Sequence, residues 1–163
     1  MKTLELIRSK IVDATALQKQ AVLWRFKNKK IVFTNGCFDI LHLGHVDYLA
    51  KAADEGDVLV VGVNTDRSTQ KLKGEGRPIN DEVQRSMVLA SLHFVDAVVL
   101  FDEDTPYELI LTLQPDVLIK GADYDPKKIV GYDVVTSRGG QVKTIDILAG
   151  YSTTAIEQKI RGK

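Results

Sequence analysis

Two short runs of β-branched residues without polar alternation, KIVFT (Lys30 to Thr34) and DVLVVGV (Asp57 to Val63), constrain this chain more than any other feature. A strand with one wet face alternates apolar and polar residues, so runs that do not alternate read as strands covered on both faces. Between them, His45 to Glu55 carries Val46, Tyr48, Leu49, Ala52 and Ala53 at helical spacing and meets Gly56, a residue type that commonly closes a helix. Strand, helix and strand in that order make one βαβ unit, and its two strands lie parallel.

The alternation continues. A helix is expected from about Asn80 to His93 with Asn80 as its N-cap, then a strand at DAVVLF (Asp96 to Phe101). A helix from Thr105 to Leu113 follows, with Thr105 capping and Pro106 at the first helical position, then a strand at DVLIK (Asp116 to Lys120). A helix near Lys127 to Arg138 leads through Gly139-Gly140 to the strand QVKTID, and Ser152 to Ile160 closes the chain as a helix. The expected class is α/β, a Rossmann-like open sheet of five parallel strands with helices on both faces. Before it, Leu4, Ile7, Ile11, Ala14, Leu17, Ala21 and Trp24 recur at steps of three or four, marking an amphipathic helix that Asp13 can break. Residues 1–28 therefore read as a helical extension packed on a domain of residues 29–163. A length of 163 residues suits one core, since single domains commonly run to roughly 100 to 200 residues.

Composition narrows the function classes. Lys plus Arg and Asp plus Glu number 22 each, so a broad nucleic-acid or anionic-membrane footprint is not expected and any phosphate chemistry must be local. The one cysteine, Cys37, has no intrachain partner for a disulfide, and MKTLELIRSK lacks the apolar run of a signal peptide, which together suggest a cytoplasmic protein. The longest apolar stretch, Val58 to Val63, falls far short of the roughly 20 residues that span a bilayer.

Open parallel sheets bind ligands beyond the carboxyl ends of their strands. After the first strand stands TNGCFDILHLGH, Thr34 to His45. It contains no GxGxxG, and no GxxxxGK[ST] occurs anywhere, so hydride-transfer and P-loop readings lose their main support. His42 and His45, three apart at a helix start, share a side where free N–H groups and the helix dipole favour phosphate. Both imidazoles can donate to a transferring phosphoryl group, and Gly44 between them leaves room for a triphosphate to approach the backbone. A zinc helix would place ligands at i and i+4 around a glutamate, and Cys37 adds only one soft ligand, so metal ligation is the weaker alternative.

At these residues the chain resembles the HxGH nucleotidyltransferase family, and within it the adenylyltransferases that make ADP-heptose. The likeness runs through FTNGCFDILHLGH, VGVNTDRSTQKLKGEGRPIN, Gln84-Arg85, FDEDTP, PDVLIKGADY and GYSTTAI, nearly the whole chain. It implies adenylyl transfer from ATP to D-glycero-D-manno-heptose 1-phosphate, giving ADP-heptose and pyrophosphate for lipopolysaccharide or other heptose glycans. The displacement at the α-phosphorus would be in line, with Mg2+ held mainly by the triphosphate and not by protein side chains alone. His42, His45, Lys73 and Arg85 would be catalytic. Nucleotide contacts would come from Asn35, Gly36, Cys37, Phe38, His42, Gly44, His45, Asn64, Lys120, Gly121, Ser152, Thr153 and Thr154. The sugar phosphate would meet Asp39, Asp66, Lys73 and Arg77, with the segment Lys73 to Pro78 closing over it. A separate heptose kinase would supply the acceptor, and a homodimer is the family-level expectation.

Blander roles stand beside these. The basic residues taken singly fit solvated surface positions, and Cys37 fits a crevice wall better than a nucleophile. Asp39 can orient a histidine or cap a turn, Ser152 to Thr154 can be only a helix cap, and His93 has no expected part. Two other functions also remain: cytidylyl transfer to glycerol 3-phosphate or a similar phosphorylated alcohol, and non-catalytic nucleotide sensing. Ala149-Gly150-Tyr151 precedes Ser152 where a glycerol-phosphate enzyme would carry an RTEGISTT-like segment, which counts against the first. Intact His42 and His45 count against the second.

Overall fold

The computed structural model describes residues 2–122 and 125–162, so Asp123 and Tyr124 of the KGADY segment lie outside the described residues. Six strands, β1 (Ile11–Val12), β2 (Ile31–Gly36), β3 (Val58–Asn64), β4 (Ala97–Phe101), β5 (Val117–Gly121) and β6 (Gln141–Ile145), form one sheet. All pairs are parallel and the order is β1-β4-β3-β2-β5-β6. Helices are α1 (Thr3–Ser9), α2 (Ala14–Phe26), α3 (Leu43–Ala53), α4 (Asp66–Lys73), α5 (Glu82–Ser91), α6 (Tyr107–Leu113), α7 (Tyr132–Thr136) and α8 (Thr153–Ile160).

The α/β parallel class is as expected, but the sheet has six strands rather than five. The additional strand interrupts the expected N-terminal helix: Ile11 and Val12, both β-branched, pair with Val98 and Val99 at the sheet edge. Asp13 then caps α2, its carboxylate accepting from the Ala16 N–H at 2.7 Å. Arg25 near the end of α2 donates to the carbonyls of Leu113 and Gln114, fastening that helix to the end of α6.

Three helix starts also differ. Asp81, not Asn80, caps α5, because its carboxylate reaches the Gln84 N–H at 2.8 Å while Asn80 is engaged with Asp39. Pro106 rather than Thr105 stands at the cap of α6. The stretch Lys127 to Arg138 is a 3-10 turn (Pro126–Lys128) followed by α7. Between them Gly131 takes φ 90°, which a right-handed helix cannot contain, and a Cβ there would lie 2.7 Å from Ile110 Cδ1. α4 was not expected, because DRSTQKLK has no apolar stripe. Thr65 caps it by accepting from the Ser68 N–H, and Gly74 at φ 93° ends it.

Strand residues alternate between two cores, one on each face. Ile31, Phe33, Val58, Val60, Ala97, Val99 and Leu118 pack under α2, α6 and α7, with Leu17, Ala21, Ile110, Leu113 and Val135. Val32, Leu59, Val61, Val63, Val98, Val117 and Ile119 pack under α3 and α5, with Leu49, Ala52, Leu89 and Ala90. Each such Val, Leu, Ile or Phe side chain, taken fully out of water, contributes roughly 1.5–3 kcal/mol. The sheet thus holds the strand ends rigidly. From β2 the chain moves outward through β3 to β4, then crosses to β5 and β6 on the other side. That reversal opens a crevice beyond the carboxyl ends of β2 and β5.

Candidate active site

A cleft of about 1120 Å³ fills that crevice, larger than the roughly 300–1,000 Å³ typical of one small ligand. Two ligands can share it. Its floor is the turn after β2. Gly36 packs closely there, since a Cβ would lie 3.1 Å from the ring of Phe38, whose backbone takes φ 48°. Phe38 in turn presents its ring to His45 edge to face, centroids 5.3 Å apart.

His42 is the N-cap residue of α3 and His45 lies in its first turn. Their rings stack at 3.8 Å with 22° between planes. Gly44 lines the cleft, and a Cβ there would also meet the His42 ring at 3.1 Å and Tyr151 Cβ at 3.3 Å. The glycine therefore lets the histidine pair and the segment leading into α8 come together. In the first turn of α3 the His45 N–H donates to the His42 carbonyl at 2.9 Å, and Gly44 and His45 line the cleft.

Burial holds both imidazoles below their usual pKa. His45 is lowered from 6.5 to about 4 by burial and by the neighbouring His42, against a raising effect of the Ile40 carbonyl. His42 is lowered by burial. Both are neutral near pH 7, each with one N–H donor and one acceptor nitrogen. The Nδ1 atom of each is buried with no hydrogen-bond partner in the structure. A polyanion entering beside them raises both pKa values, because the protonated form gains an opposite charge.

The opposite wall is the first turn of α8. Ser152 is the N-cap, its hydroxyl accepting from the Ala155 N–H at 3.1 Å, and Ser152, Thr153 and Thr154 line the cleft at this helix start, where N–H groups favour an anion. Lys120, at the end of β5, reaches the Asn35 carbonyl at 3.3 Å, and Gly121 follows it on the cleft wall. Lys73 lies exposed at the end of α4 on the rim. Lys128 and Arg161, which the sequence did not single out, add cationic side chains to the lining.

All but two of the sequence-derived residues line this cleft, namely Asn35, Gly36, Cys37, Phe38, Asp39, His42, Gly44, His45, Asn64, Lys73, Arg77, Lys120, Gly121, Ser152, Thr153 and Thr154. Several are engaged by the protein itself. The Asn64 amide donates to Ser68 Oγ at 2.9 Å and accepts from Cys37 Sγ at 3.8 Å. Asp39 is 5% exposed and accepts from the N–H groups of Ile79 and Asn80 at 2.8 and 3.0 Å. It also forms a 2.8 Å ion pair with Arg77, whose guanidinium contacts Glu157 of α8. The expected closing segment is thus anchored at Arg77 to Asn80, with Lys73 to Gly76 exposed before it.

Arg85 and Asp66 are the two that the cleft does not gather. Arg85 is 2% exposed and donates to the carbonyls of Asn80 (3.0 Å) and Cys37 (2.6 Å) and to Asp66 Oδ1 (2.8 Å). The guanidinium expected to be catalytic is thus buried and engaged by acceptors of the protein itself. Asp66 lines instead a smaller neighbouring pocket with Arg67, Gln70, Asp81 and Gln84. Among the described residues no group of three or more His, Cys, Asp or Glu is arranged to hold a metal ion, and no helix is long and apolar enough to cross a membrane.

Comparison with known proteins bears on this geometry. The cytidylyltransferase-like family model matches residues 33–159. Bifunctional protein HldE of Wolinella succinogenes is 54% identical over 155 residues, covering 95% of this chain and 32% of that protein. The HldE of Campylobacter jejuni subsp. jejuni is 57% identical over 142 residues, 87% of this chain and 30% of that one. The chain therefore spans about a third of the length of these curated relatives. Among solved structures, the lipopolysaccharide core biosynthesis protein from Thermoplasma volcanium is 33% identical, with a TM-score of 0.59 over 74% of this chain and 97% of that one. Pantoate-beta-alanine ligase from Francisella tularensis, at 18% identity and TM-score 0.61 over 93% of this chain and 76% of that one, shares the fold.

Proposed function

The chain belongs to the cytidylyltransferase-like family, and from that premise we propose that it transfers the adenylyl group of ATP to a heptose 1-phosphate, releasing pyrophosphate. The observation that carries the reading is the stacked, neutral His42–His45 pair at the α3 N-terminus, beside the open first turn of α8 in one cleft. Two helix N-termini and two ring N–H donors converge where a triphosphate can lie. An acceptor phosphate oxygen attacks the α-phosphorus and forms the new P–O bond while the bond from the α-phosphorus to the α,β-bridging oxygen breaks, so pyrophosphate leaves with that electron pair. Charge accumulates on the equatorial and leaving oxygens, and donors already in place stabilise it without reorganisation. The sequence likeness to the ADP-heptose-forming adenylyltransferases, with the high identity to HldE, supports the choice of ATP and heptose.

Within this reading, Lys120 and the α8 turn hold the triphosphate, while Lys73 and Arg77 face the sugar phosphate. Asp39 and Arg85 act through other residues, the first on Arg77 and the second on the Cys37 carbonyl. Mg2+ would enter ligated by triphosphate oxygens and water and would supply charge neutralisation. The cleft fits that mode, since it offers N–H donors and cations where an all-protein metal site would offer clustered carboxylates. The reading includes a cytoplasmic location, a homodimer, and a kinase reaction elsewhere that phosphorylates the sugar. Incubation with ATP, Mg2+ and heptose 1-phosphate should yield ADP-heptose by mass spectrometry. Recovery of unreacted substrates with a folded, ATP-binding protein would instead support the sensor.

A further inference from the structure

Arg77 stands between two carboxylates of different character. Its Nε lies 2.8 Å from Asp39 Oδ2 and its Nη1 contacts Glu157 Oε1. The Asp39 side chain is 3% exposed, and its other oxygen holds two backbone N–H groups, so removing it from Arg77 would strand a buried charge. Asp39 is a permanent partner. Glu157 comes from α8, 80 residues away in sequence, is 22% exposed, and its carboxylate makes no other hydrogen bond among the described residues.

One guanidinium with two carboxylates carries a net charge of −1. That is a poor seat for a phosphate dianion in a cleft built for anions, and only one of the two carboxylates can leave cheaply. We propose that Glu157 is a specificity-determining positioning residue that occupies, in the ligand-free protein, the place at Arg77 that the acceptor's phosphate takes. The acceptor exchanges for it. An unphosphorylated sugar brings no charge to replace the carboxylate, so Glu157 excludes it by competition, while a phosphate monoester displaces it with a stronger charge-assisted contact. The inference rests on the reading of Arg77 as an acceptor-phosphate ligand.

The test is a double-mutant cycle of Glu157→Gln and Arg77→Gln, read by the KM for heptose 1-phosphate and by the rise in Tm with added inorganic phosphate. The glutamine keeps the side chain's shape and removes its charge. E157Q should lower the acceptor KM and tighten phosphate binding by about 3–5-fold, the scale of a partly exposed ion pair. R77Q should raise the acceptor KM, and E157Q should add nothing in the R77Q background. An unchanged or higher acceptor KM in E157Q, with R77Q still impaired, overturns the exchange and leaves Glu157 a prop for Arg77. A higher KM for ATP alone assigns Glu157 to holding α8 and also overturns it. If R77Q leaves the acceptor KM alone, the assignment of Arg77 fails and the inference with it.

Discussion

Replacing Arg85 by methionine removes its charge while keeping an unbranched side chain, and separates support from chemistry. Arg85 donates to two carbonyls, at Asn80 and Cys37, and to one carboxylate, at Asp66. Each carbonyl left without a partner costs about 2 kcal/mol. The Asp66 side chain is 41% exposed, so water re-solvates it and this contact contributes under about 1 kcal/mol. The loss is thus about 4 kcal/mol. For a chain of this size each kcal/mol shifts Tm by roughly 2–4 °C, so R85M should melt on the order of 10 °C lower, with a matching fall in the urea midpoint. Because Cys37 belongs to the turn that leads to His42, activity should fall in step with stability and recover in part on cooling. A variant that melts within about 2 °C of the parent yet loses a hundredfold in turnover would refute this reasoning and put the guanidinium in the reaction.

Other consequences follow from the same geometry. His45→Ala should lower kcat on the order of a hundredfold or more while nucleotide affinity falls less, checked by steady-state kinetics beside calorimetric ATP titration. The His45 ring also makes stability depend on pH. Its folded pKa, about 4, lies below 6.5, so the unfolded chain takes up the proton first. The contribution is complete above pH 6.5 and is lost as pH falls toward 4, by at most about 3 kcal/mol. Urea midpoints of wild type and His45→Gln should diverge across that window, and a constant difference from pH 7 to 4 contradicts the assignment. Ser152→Ala removes the cap of α8 and should cost about 1 kcal/mol by urea denaturation, with a raised KM for ATP. An unaltered KM would detach the α8 turn from the triphosphate.

What the sequence revealed and what it concealed have physical causes. The strands β2 to β6 were legible because a strand buried on both faces, or flanked by turn residues, leaves a short β-rich run. The strand β1 was not, since Ile11 and Val12 also satisfy the helical spacing of Ile7 and Ala14, and only the Val98–Val99 edge decides between the two. The helix α4 buries Ser68 and Thr69 rather than apolar residues, so it has no stripe to detect. The His42–His45 pair could be read directly, because helical spacing fixes which side chains share a side. The close approach at Gly44 could not, since it includes Tyr151, more than a hundred residues away. Glu157 was hidden in the same way, 80 residues from the Arg77 it contacts. Arg85 and Arg77 look alike as sequence, and only burial separates an enclosed strut from a residue at the cleft.

The most direct test is pyrophosphate release with Mg2+, offering ATP, CTP, GTP and UTP in turn with heptose 1-phosphate and, separately, with glycerol 3-phosphate. Release with ATP and the heptose alone is the predicted result. Release confined to CTP with glycerol 3-phosphate would keep the histidine chemistry and contradict the substrates, and no release with any pair would contradict catalysis by this cleft.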